Sequence, residues 1–180
     1  EEAFNKGAKH VTHLYNAMPP YSHRAPGVIG AACDNDNVMV ELICDGVHSH
    51  PSTVRTTFKM FGDDRVILIS DSMMACGLED GQYTLGGQAV TVKGNLATLT
   101  ELGNIAGSVT NLMKCMRKAV QEMGIPLESA VQCATVNPAK AIGVYDKYGS
   151  LEAGKQADAV VLDKDLNIKY VIKSGEVVYG

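Results

Sequence analysis

Two nearly continuous apolar runs dominate the hydrophobic pattern of the first half of the chain. They predict strands over residues 38–44 and 65–70, and a polar or ionisable residue follows each run. Continuous apolar runs of this length are typical of strands buried on both faces, as in parallel sheets. Between them, the pattern predicts a helix over Pro51–Phe61. Proline is tolerated in the first helical turn, and Gly62 ends the helix. The pattern therefore predicts a parallel α/β domain.

The segment before these strands predicts a third strand and a long loop. Residues 1–6 are typical of the last turns of a helix closed by Gly7, and residues 9–14 predict a short strand that ends beside His13. Residues 15–30 contain three prolines and two glycines, which predicts a loop. Long loops on a rigid scaffold often carry function. We therefore expect functional residues in this loop.

The second half of the chain predicts hairpins and then helices. Residues 82–99 predict one or two hairpins. Their turns are expected at Gly86-Gly87 and Gly94-Asn95. Ser108 is predicted to cap a helix that runs to Met123. Residues 126–142 predict two short helices, separated near Asn137-Pro138 because proline disfavours a helical residue before it.

The tail of the chain predicts a small β annex. Three short apolar segments, residues 159–162, 168–172 and 177–179, are separated by polar turns. The start of the chain is unlike an ordinary helix start, since Glu1 follows neither a methionine nor a helix cap. We therefore expect this chain to be the later part of a longer polypeptide.

Composition and charge narrow the classes of function. The 180 residues are 46% hydrophobic and 20% charged, which is typical of a folded globular protein. The net charge is −4 without a basic run, which argues against a nucleic-acid partner. No apolar stretch approaches the roughly 20 residues of a membrane helix, so no membrane partner is expected. Five scattered cysteines predict free thiols in a reducing compartment, and we expect the cytoplasm.

Three candidate functional residues stand at the carboxyl ends of the predicted strands. They are His13, His48 and Asp71. Taken singly, each has a structural explanation, as a hydrogen-bonded histidine or a helix-capping aspartate. Since the carboxyl ends of parallel strands meet at one edge, all three are expected near one pocket. Histidine and carboxylate suit a metal site in which an aspartate acts on a water molecule.

Two further segments favour an anionic ligand. Arg24 lies in the proline-rich loop, and beside Asn16 and Ala17 it could bind a phosphate through its planar fork of donors. Residues 105–107 stand before the predicted helix, where backbone N–H groups can meet a ligand. An ordinary solvated arginine and an ordinary helix entry explain the same residues. His10 and His50 are expected to have surface or packing roles.

Five motifs, in this order and spacing, closely resemble the N-acetylglucosamine-6-phosphate deacetylase family of the amidohydrolase superfamily. The resemblance runs over essentially the whole chain, and the first motif is the most specific. The motifs are Thr12-His13-Leu14-Tyr15-Asn16-Ala17-Met18, Asp45-Gly46-Val47-His48, Ser70-Asp71, Ile105-Ala106-Gly107-Ser108 and Gly154-Lys155-Gln156-Ala157-Asp158-Ala159-Val160-Val161.

The resemblance implies the C-terminal part of a (β/α)8 barrel with a small β-sandwich annex. Residues 1–148 would be the partial barrel, with a hairpin insertion over 82–99, and residues 149–180 would be part of the sandwich. A full barrel takes roughly 250 residues, so this chain is expected to be the C-terminal half of the enzyme. The family's remaining metal ligands, a glutamate and a further histidine, would lie upstream. The resemblance also implies a homodimer for the full-length enzyme.

The resemblance also implies an activity and a role for each candidate residue. The activity is metal-dependent hydrolysis of the acetamide of N-acetylglucosamine 6-phosphate, which gives glucosamine 6-phosphate and acetate. His13 would bind a divalent metal, zinc or iron, and Asp71 would be the general base and then the general acid. The substrate-binding residues would be Asn16, Ala17 and Arg24 at the phosphate, His48, and Ile105, Ala106 and Gly107 along the sugar.

Two alternatives remain open from the sequence. Another amidohydrolase, acting on a cyclic amide or a nucleobase, would share the metal site, but a neutral substrate would not require Arg24. A non-catalytic fragment or interaction module would have the same composition and strands. Histidine and carboxylate ligands suit several divalent ions, so the residues do not distinguish zinc from iron.

Overall fold

The computed structural model describes residues 1–180 and contains six helices and three sheets of three strands each. The helices are α1 (Glu2–Asn5), α2 (Gly27–Cys33), α3 (Pro51–Phe61), α4 (Leu112–Gln121), α5 (Leu127–Ala134) and α6 (Val136–Ala141). The strands are β1 (His10–Val11), β2 (Met39–Ile43), β3 (Val66–Ile69), β4 (Gly81–Leu85), β5 (Gln88–Lys93), β6 (Leu96–Leu99), β7 (Ala159–Leu162), β8 (Ile168–Lys173) and β9 (Glu176–Tyr179). No helix has both the length and the apolar character that a membrane crossing needs.

The parallel sheet β1-β2-β3 is the centre of the fold. Val40 of β2 is in register with Val11 on one side and Val66 on the other. Val40, Leu42 and Val66 are fully buried, because helices cover this sheet. They belong to a cluster of 19 buried apolar residues that also takes in α3, α4 and α5. The predicted parallel α/β arrangement is therefore present.

The second sheet, β4-β5-β6, is antiparallel and has its own small core. Its first turn is at Gly86 and Gly87, whose φ values of 58° and 84° suit a tight hairpin turn. Its second turn is at Gly94-Asn95. Val90, Val92 and Ala97 are buried together with residues of the Met73–Ala75 and Ala106 segments. The region predicted to form one or two hairpins, residues 82–99, forms two.

The third sheet, β7-β8-β9, is antiparallel and much more exposed. The three predicted strands of the tail are confirmed within one residue at each end. Every residue of β9 is exposed, and Val177 and Val178 are both more than 60% exposed. Leu162 of β7 packs against the main core, and the carbonyl of the buried Leu166 accepts hydrogen bonds from Arg117 of α4.

Several predicted boundaries were wrong. The strand predicted over residues 9–14 has only two residues, since the chain turns at Thr12. The loop predicted over residues 15–30 ends at Pro26, and helix α2 occupies 27–33, where small residues allow close packing on the core. The helix predicted from Ser108 begins at Leu112. Its cap is Asn111, whose side chain accepts a hydrogen bond from Lys114 N at 2.9 Å.

The two helices predicted over residues 126–142 are present, but the break between them is at Thr135. Pro138 lies in the first turn of α6, where a missing N–H costs no helical hydrogen bond. Asn137 is fully buried and donates from Nδ2 to the carbonyls of Asp63 and Val66, each at 2.6 Å. Asn137 thereby joins α6 to the start of β3.

Candidate active site

The candidate residues lie at the carboxyl edge of the parallel sheet. His13 follows β1 by two positions, Asp71 follows β3 by two positions, and His48 lies on the turn that leads from β2 to α3. Because the three strands are parallel, these positions belong to the same edge. The fold therefore brings the three predicted strand-end residues to one side of the molecule, as the sequence pattern indicated.

His13 is held at its backbone and has an unpartnered ring nitrogen. Its N–H donates to Glu41 Oε2 at 3.3 Å, and Leu14 N donates to the Glu41 carbonyl at 2.8 Å, so β2 fixes the start of the loop. The other carboxylate oxygen of Glu41 pairs with His10 Nε2 at 2.8 Å, which gives His10 the packing role expected. The Nδ1 atom of His13 is buried without a hydrogen-bond partner. A buried ring nitrogen without a hydrogen-bond partner can act as a metal ligand.

The loop after His13 has an unusual backbone conformation. His13, Tyr15 and Ala17 have φ values of 35°, 75° and 52°, in a region that L-residues seldom adopt. Asn16 N donates to the His13 carbonyl at 2.9 Å, and Asn16 Nδ2 donates to the Leu14 carbonyl at 3.1 Å. Backbone strain of this kind persists only where the surrounding structure enforces it, and it concentrates at functional sites.

Tyr15 anchors this loop to helix α3. Its hydroxyl lies 2.7 Å from Thr57 Oγ1, and Thr57 itself is fully buried and donates to the Thr53 carbonyl at 2.9 Å. Because Thr57 gives its hydrogen to Thr53, the Tyr15 hydroxyl is the donor of the pair. Burial raises the pKa of Tyr15, which keeps the hydroxyl protonated at neutral pH. The family motif therefore includes a residue whose role is to hold the loop.

His48 is paired with a buried aspartate that sequence reasoning did not select. Asp45 and the His48 side chain are only 1% and 5% exposed, and His48 Nδ1 lies 2.7 Å from Asp45 Oδ2. Asp45 Oδ1 accepts from the N–H groups of Val47 and His48, each at 2.9 Å. The spacing of an acid three residues before a histidine was the available signal. The motif Asp45-Gly46-Val47-His48 contains this signal.

The electrostatics of this pair are set by burial and by hydrogen bonds. Burial raises the pKa of the Asp45 carboxyl, but the hydrogen bonds from His48 and Val47 together outweigh burial and leave the pKa below its usual value. Asp45 is therefore an ionised acceptor at neutral pH. An ionised carboxylate has no hydrogen to donate, so Nδ1 of His48 must carry the hydrogen between them.

Asp71 has a strained backbone conformation, and a second chain segment holds it by hydrogen bonds. Its φ is 49°, and its side chain is exposed. Its carbonyl accepts from Ser108 N at 2.9 Å, and Met73 N donates to the Ser108 carbonyl at 2.8 Å. Ser108 Oγ donates to the Ser70 carbonyl. Ser108 therefore lies beside the β3 extension and holds Asp71 in place, instead of capping a helix.

The segment before Ser108 packs against the same extension. Ala106 is buried, Ile105 is 46% exposed, and Gly107 has a φ of 64°. A Cβ at Gly107 would lie 3.2 Å from Met73 Cβ and 3.5 Å from the Asp71 carbonyl. Helix α4 begins five residues after Gly107, so this segment does not lead directly into a helix N-terminus. Ala106 N already donates to the Ala97 carbonyl at 3.0 Å.

Arg24 and His50 differ in their surroundings. Arg24 is exposed at the tip of a tight turn in which Ser22 and Ala25 pair, and its guanidinium makes no hydrogen bond or ion pair within the chain. His50 caps helix α3, and its Nδ1 accepts from Ser52 N at 3.2 Å, so it has a structural role. Of these two residues, only Arg24 keeps its donors free for a ligand.

The cysteines are free, as predicted. Cys44, Cys115 and Cys133 are fully buried. Burial raises the pKa of Cys115 and Cys133 to about 12 and that of Cys44 further, so all three remain protonated and weakly nucleophilic. They are packing residues. No group of three or more histidine, cysteine or acidic side chains in the chain is arranged to bind a metal ion, so His13 would contribute one ligand among others.

Comparison with known proteins gives consistent results. The sequence model of the amidohydrolase family matches residues 1–178. An N-acetylglucosamine-6-phosphate deacetylase from Bacillus subtilis is 41% identical over 99% of this chain, and one from Caenorhabditis elegans is 38% identical over 99%. The structure of a Mycobacterium smegmatis N-acetyl-D-glucosamine-6-phosphate deacetylase variant, with its aspartate replaced by alanine and in complex with N-acetyl-D-glucosamine-6-phosphate, is 40% identical over 99% of this chain, with a TM-score of 0.94.

The lengths of these proteins differ from that of the chain. The aligned region is 45% of the Bacillus subtilis protein, 44% of the Caenorhabditis elegans protein and 47% of the Mycobacterium smegmatis chain. The chain thus spans about half the length of the relatives it matches. A more distant solved structure, an enamidase with 18% identity and a TM-score of 0.56, shows likeness of fold alone.

Proposed function

The chain belongs to the amidohydrolase family, and from this premise we propose that it carries out part of the metal-dependent hydrolysis of N-acetylglucosamine 6-phosphate. The reaction cleaves the acetamide C–N bond with one water molecule and gives glucosamine 6-phosphate and acetate. One observation carries the proposal: a chain similar over 99% of its length to deacetylases of this substrate has His13, His48 and Asp71 at one edge of its sheet.

The fold proposed for the complete enzyme follows the resemblance. Residues 1–148 would be the C-terminal part of a (β/α)8 barrel, and residues 149–180 would be part of a small β-sandwich. The parallel pairing of β1, β2 and β3 supports the first assignment, and the separate antiparallel sheet β7-β8-β9 supports the second. We further propose a homodimer in the cytoplasm, and the free cysteines support the reducing compartment.

His13 fits the divalent metal that amidohydrolases generally use. Its buried Nδ1 has no partner within the chain, and a neutral imidazole nitrogen is a common ligand of zinc and iron. When bound, a divalent ion supplies Lewis-acid polarisation of the amide carbonyl and makes a water molecule more acidic. Zinc or iron is proposed.

Asp71 is the proposed catalytic residue. Its carboxylate would take a proton from the attacking water and then give that proton to the amine nitrogen as the C–N bond breaks. One exposed carboxylate serves both steps because it ends the cycle in the state in which it began. The strained backbone at Asp71 and its hydrogen bond from Ser108 N support this role, since they fix where the carboxylate starts.

The substrate-binding residues divide between the two ends of the sugar. Arg24 would bind the phosphate, since its guanidinium is exposed and has no partner within the chain, and Asn16 and Ala17 would complete the phosphate site. His48 would contact the substrate from the β2 edge, and the segment 105–107 would line the sugar.

Replacement of Asp71 by asparagine tests the catalytic assignment. Asp71→Asn in the full-length protein should lower acetate release by about 10²- to 10⁴-fold, the usual contribution of general acid–base catalysis. The fold should be retained, because asparagine tolerates a positive φ. Asp146→Asn, at another exposed aspartate, is the matched control. Unchanged acetate release in Asp71→Asn would contradict the assignment.

Arg24 separates the proposed substrate from the neutral substrates of other amidohydrolases. Arg24→Ala should raise KM for N-acetylglucosamine 6-phosphate by about tenfold or more, since a hydrogen bond to a charged group contributes about 1.5–3 kcal/mol. Hydrolysis of unphosphorylated N-acetylglucosamine, which lacks the charge, should not change. Arg24→Lys keeps the charge without the planar fork and should be intermediate. An unaltered KM in Arg24→Ala would favour a neutral substrate, such as a cyclic amide or a nucleobase.

A further inference from the structure

The side chain and the backbone of Asp45 make hydrogen bonds to two different parts of the molecule. Its carboxylate holds the ring of His48, and its backbone carbonyl accepts a hydrogen bond from Asn95 Nδ2 at 3.0 Å. Asn95 belongs to the turn between β5 and β6, 50 positions later in the chain. The antiparallel sheet β4-β5-β6 therefore reaches the turn that carries His48.

We infer that Asp45 and Asn95 are positioning residues that fix the ring of His48, so that His48 presents only Nε2 to the substrate. This inference rests on the proposed function, which gives His48 its contact with the sugar phosphate. Neither positioning residue touches the substrate in this account. Their effect is on which ring nitrogen is available and on how far the ring can turn.

The carboxylate of Asp45 determines the ring nitrogen. Oδ1 is occupied by the N–H groups of Val47 and His48, so only Oδ2 faces the ring. An ionised carboxylate accepts hydrogen bonds only, so the ring hydrogen is on Nδ1 and the lone pair of the neutral ring is on Nε2. Nε2 makes no hydrogen bond within the chain and is not among the fully buried unpartnered atoms. It is the ring atom left for a ligand.

The turn around Asp45 is held by hydrogen bonds and lies beside helix α4. Gly46 has a φ of 79°, and a Cβ at that position would lie 3.4 Å from Lys118 Nζ. Lys118 lies on α4 and is paired with Glu122 at 2.9 Å. Lys118 of α4 thus lies beside the turn, and Asn95 donates to the Asp45 carbonyl within it. Groups held on two sides keep a hydrogen-bonded ring in one orientation, which is the condition for a well-placed binding residue.

Replacement of Asp45 by asparagine reverses the expected ring tautomer. The amide oxygen would take the place of Oδ1, because two backbone N–H groups require an acceptor there. The amide NH₂ would then face His48 Nδ1, which would have to accept, and the ring hydrogen would move to Nε2. Nitrogen–hydrogen correlation spectra of the full-length holoenzyme with isotope-labelled histidine identify the protonated ring nitrogen. A hydrogen that stays on Nδ1 in Asp45→Asn would overturn the role of Asp45.

Asn95 provides a variant at an exposed position, where misfolding does not interfere. Asn95→Ala should raise KM for N-acetylglucosamine 6-phosphate two- to tenfold with kcat unchanged, the size of effect of one neutral hydrogen bond used for binding. Asn104→Ala is the matched control, because Asn104 is an exposed asparagine of the same region whose side chain makes no hydrogen bond. Equal KM values in these two variants would overturn the role of Asn95.

The two measurements separate this inference from the proposed function. If the wild-type protein released no acetate from N-acetylglucosamine 6-phosphate, the proposed function would fail, while the tautomer of His48 would still decide the role of Asp45. If the wild-type protein were active and Asp45→Asn kept both its tautomer and its kcat/KM, the positioning inference alone would fail.

Discussion

The carboxyl edge of the parallel sheet and the sheet β7-β8-β9 both contain non-glycine residues with positive φ, but for different reasons. Six such residues occur in the chain, and four of them are at the edge: His13, Tyr15, Ala17 and Asp71. The other two, Leu166 and Ser174, lie in the turns of the tail sheet. Tight hairpin turns require positive φ, and Ser174 with Gly175 has it at both positions.

The residues at the carboxyl edge are not part of a hairpin between two strands. Three of the four make hydrogen bonds to residues far along the chain. Tyr15 is bonded to Thr57, His13 to Glu41, and Asp71 to Ser108. The difference indicates that strain explained by a turn is structural, whereas strain kept by distant contacts marks residues whose positions matter for function.

The strongest test of this comparison concerns the core that supports each region. Leu42→Ala in β2 should lower the free energy of unfolding by about 2–5 kcal/mol, because a fully buried leucine leaves a cavity. Val178→Ala in β9 should change it by no more than about 0.5 kcal/mol, since Val178 is 61% exposed. Urea denaturation of the full-length protein measures both. Equal losses would show that the tail sheet is as well supported as the edge.

Two glycine variants, Gly107→Ala and Gly103→Ala, test whether packing beside Asp71 matters for its position. Gly107→Ala should destabilise the protein by about 1–3 kcal/mol, because its left-handed φ disfavours a side chain and the new Cβ would press on Met73. Gly103 has a similar φ of 73°, but nothing lies close to a Cβ there. Gly103→Ala should therefore lose only the stability that the positive φ costs a side chain. Acetate release should fall in Gly107→Ala alone. Equal activity in the two variants would mean that the packing at Gly107 does not position Asp71.

The smallest expected effect concerns the hydrogen bond that anchors the loop after His13 to helix α3. Tyr15→Phe removes the hydrogen bond to Thr57 and should cost about 0.5–1.5 kcal/mol of unfolding free energy. Tyr179→Phe, at a tyrosine that is 61% exposed, should have no measurable effect. The Tyr15 variant should also raise KM, because Asn16 and Ala17 belong to the same loop. A stable Tyr15→Phe protein with normal KM would show that the loop holds its strained conformation without this bond.

The elements with strong local signals were predicted well. Pro51–Phe61 is a helix with the predicted bounds, since proline begins it and Gly62 ends it. The hairpins at Gly86-Gly87 and Gly94-Asn95 were also predicted, because glycine pairs and asparagine fix the turn. Helix α2 was missed, since its two glycines and the β-branched Val28 and Ile29 favour helix formation weakly, and its apolar residues pack on the core.

The sequence predicted the candidate residues of the site but not the contacts that hold them in position. The pattern of strand ends located His13, His48 and Asp71 on one edge, while their roles stay predictions. It could not locate Asn95, because a contact over 50 positions depends on how the second sheet packs. It also placed Ser108 as a helix cap. Serine serves equally well as a cap or as a bridge between segments, and only the pairing with Ser72 decides between them.

Helix α3 has a consequence for the shape of the site. Its first residue, Pro51, follows the His48 turn closely, and Thr57, six residues along, holds the first loop through Tyr15. Six residues of helix correspond to a rise of about 9 Å. One rigid helix thus sets the spacing between two loops of the candidate site. If α3 moved along its axis, both loops would move with it, and the distance between them would stay the same.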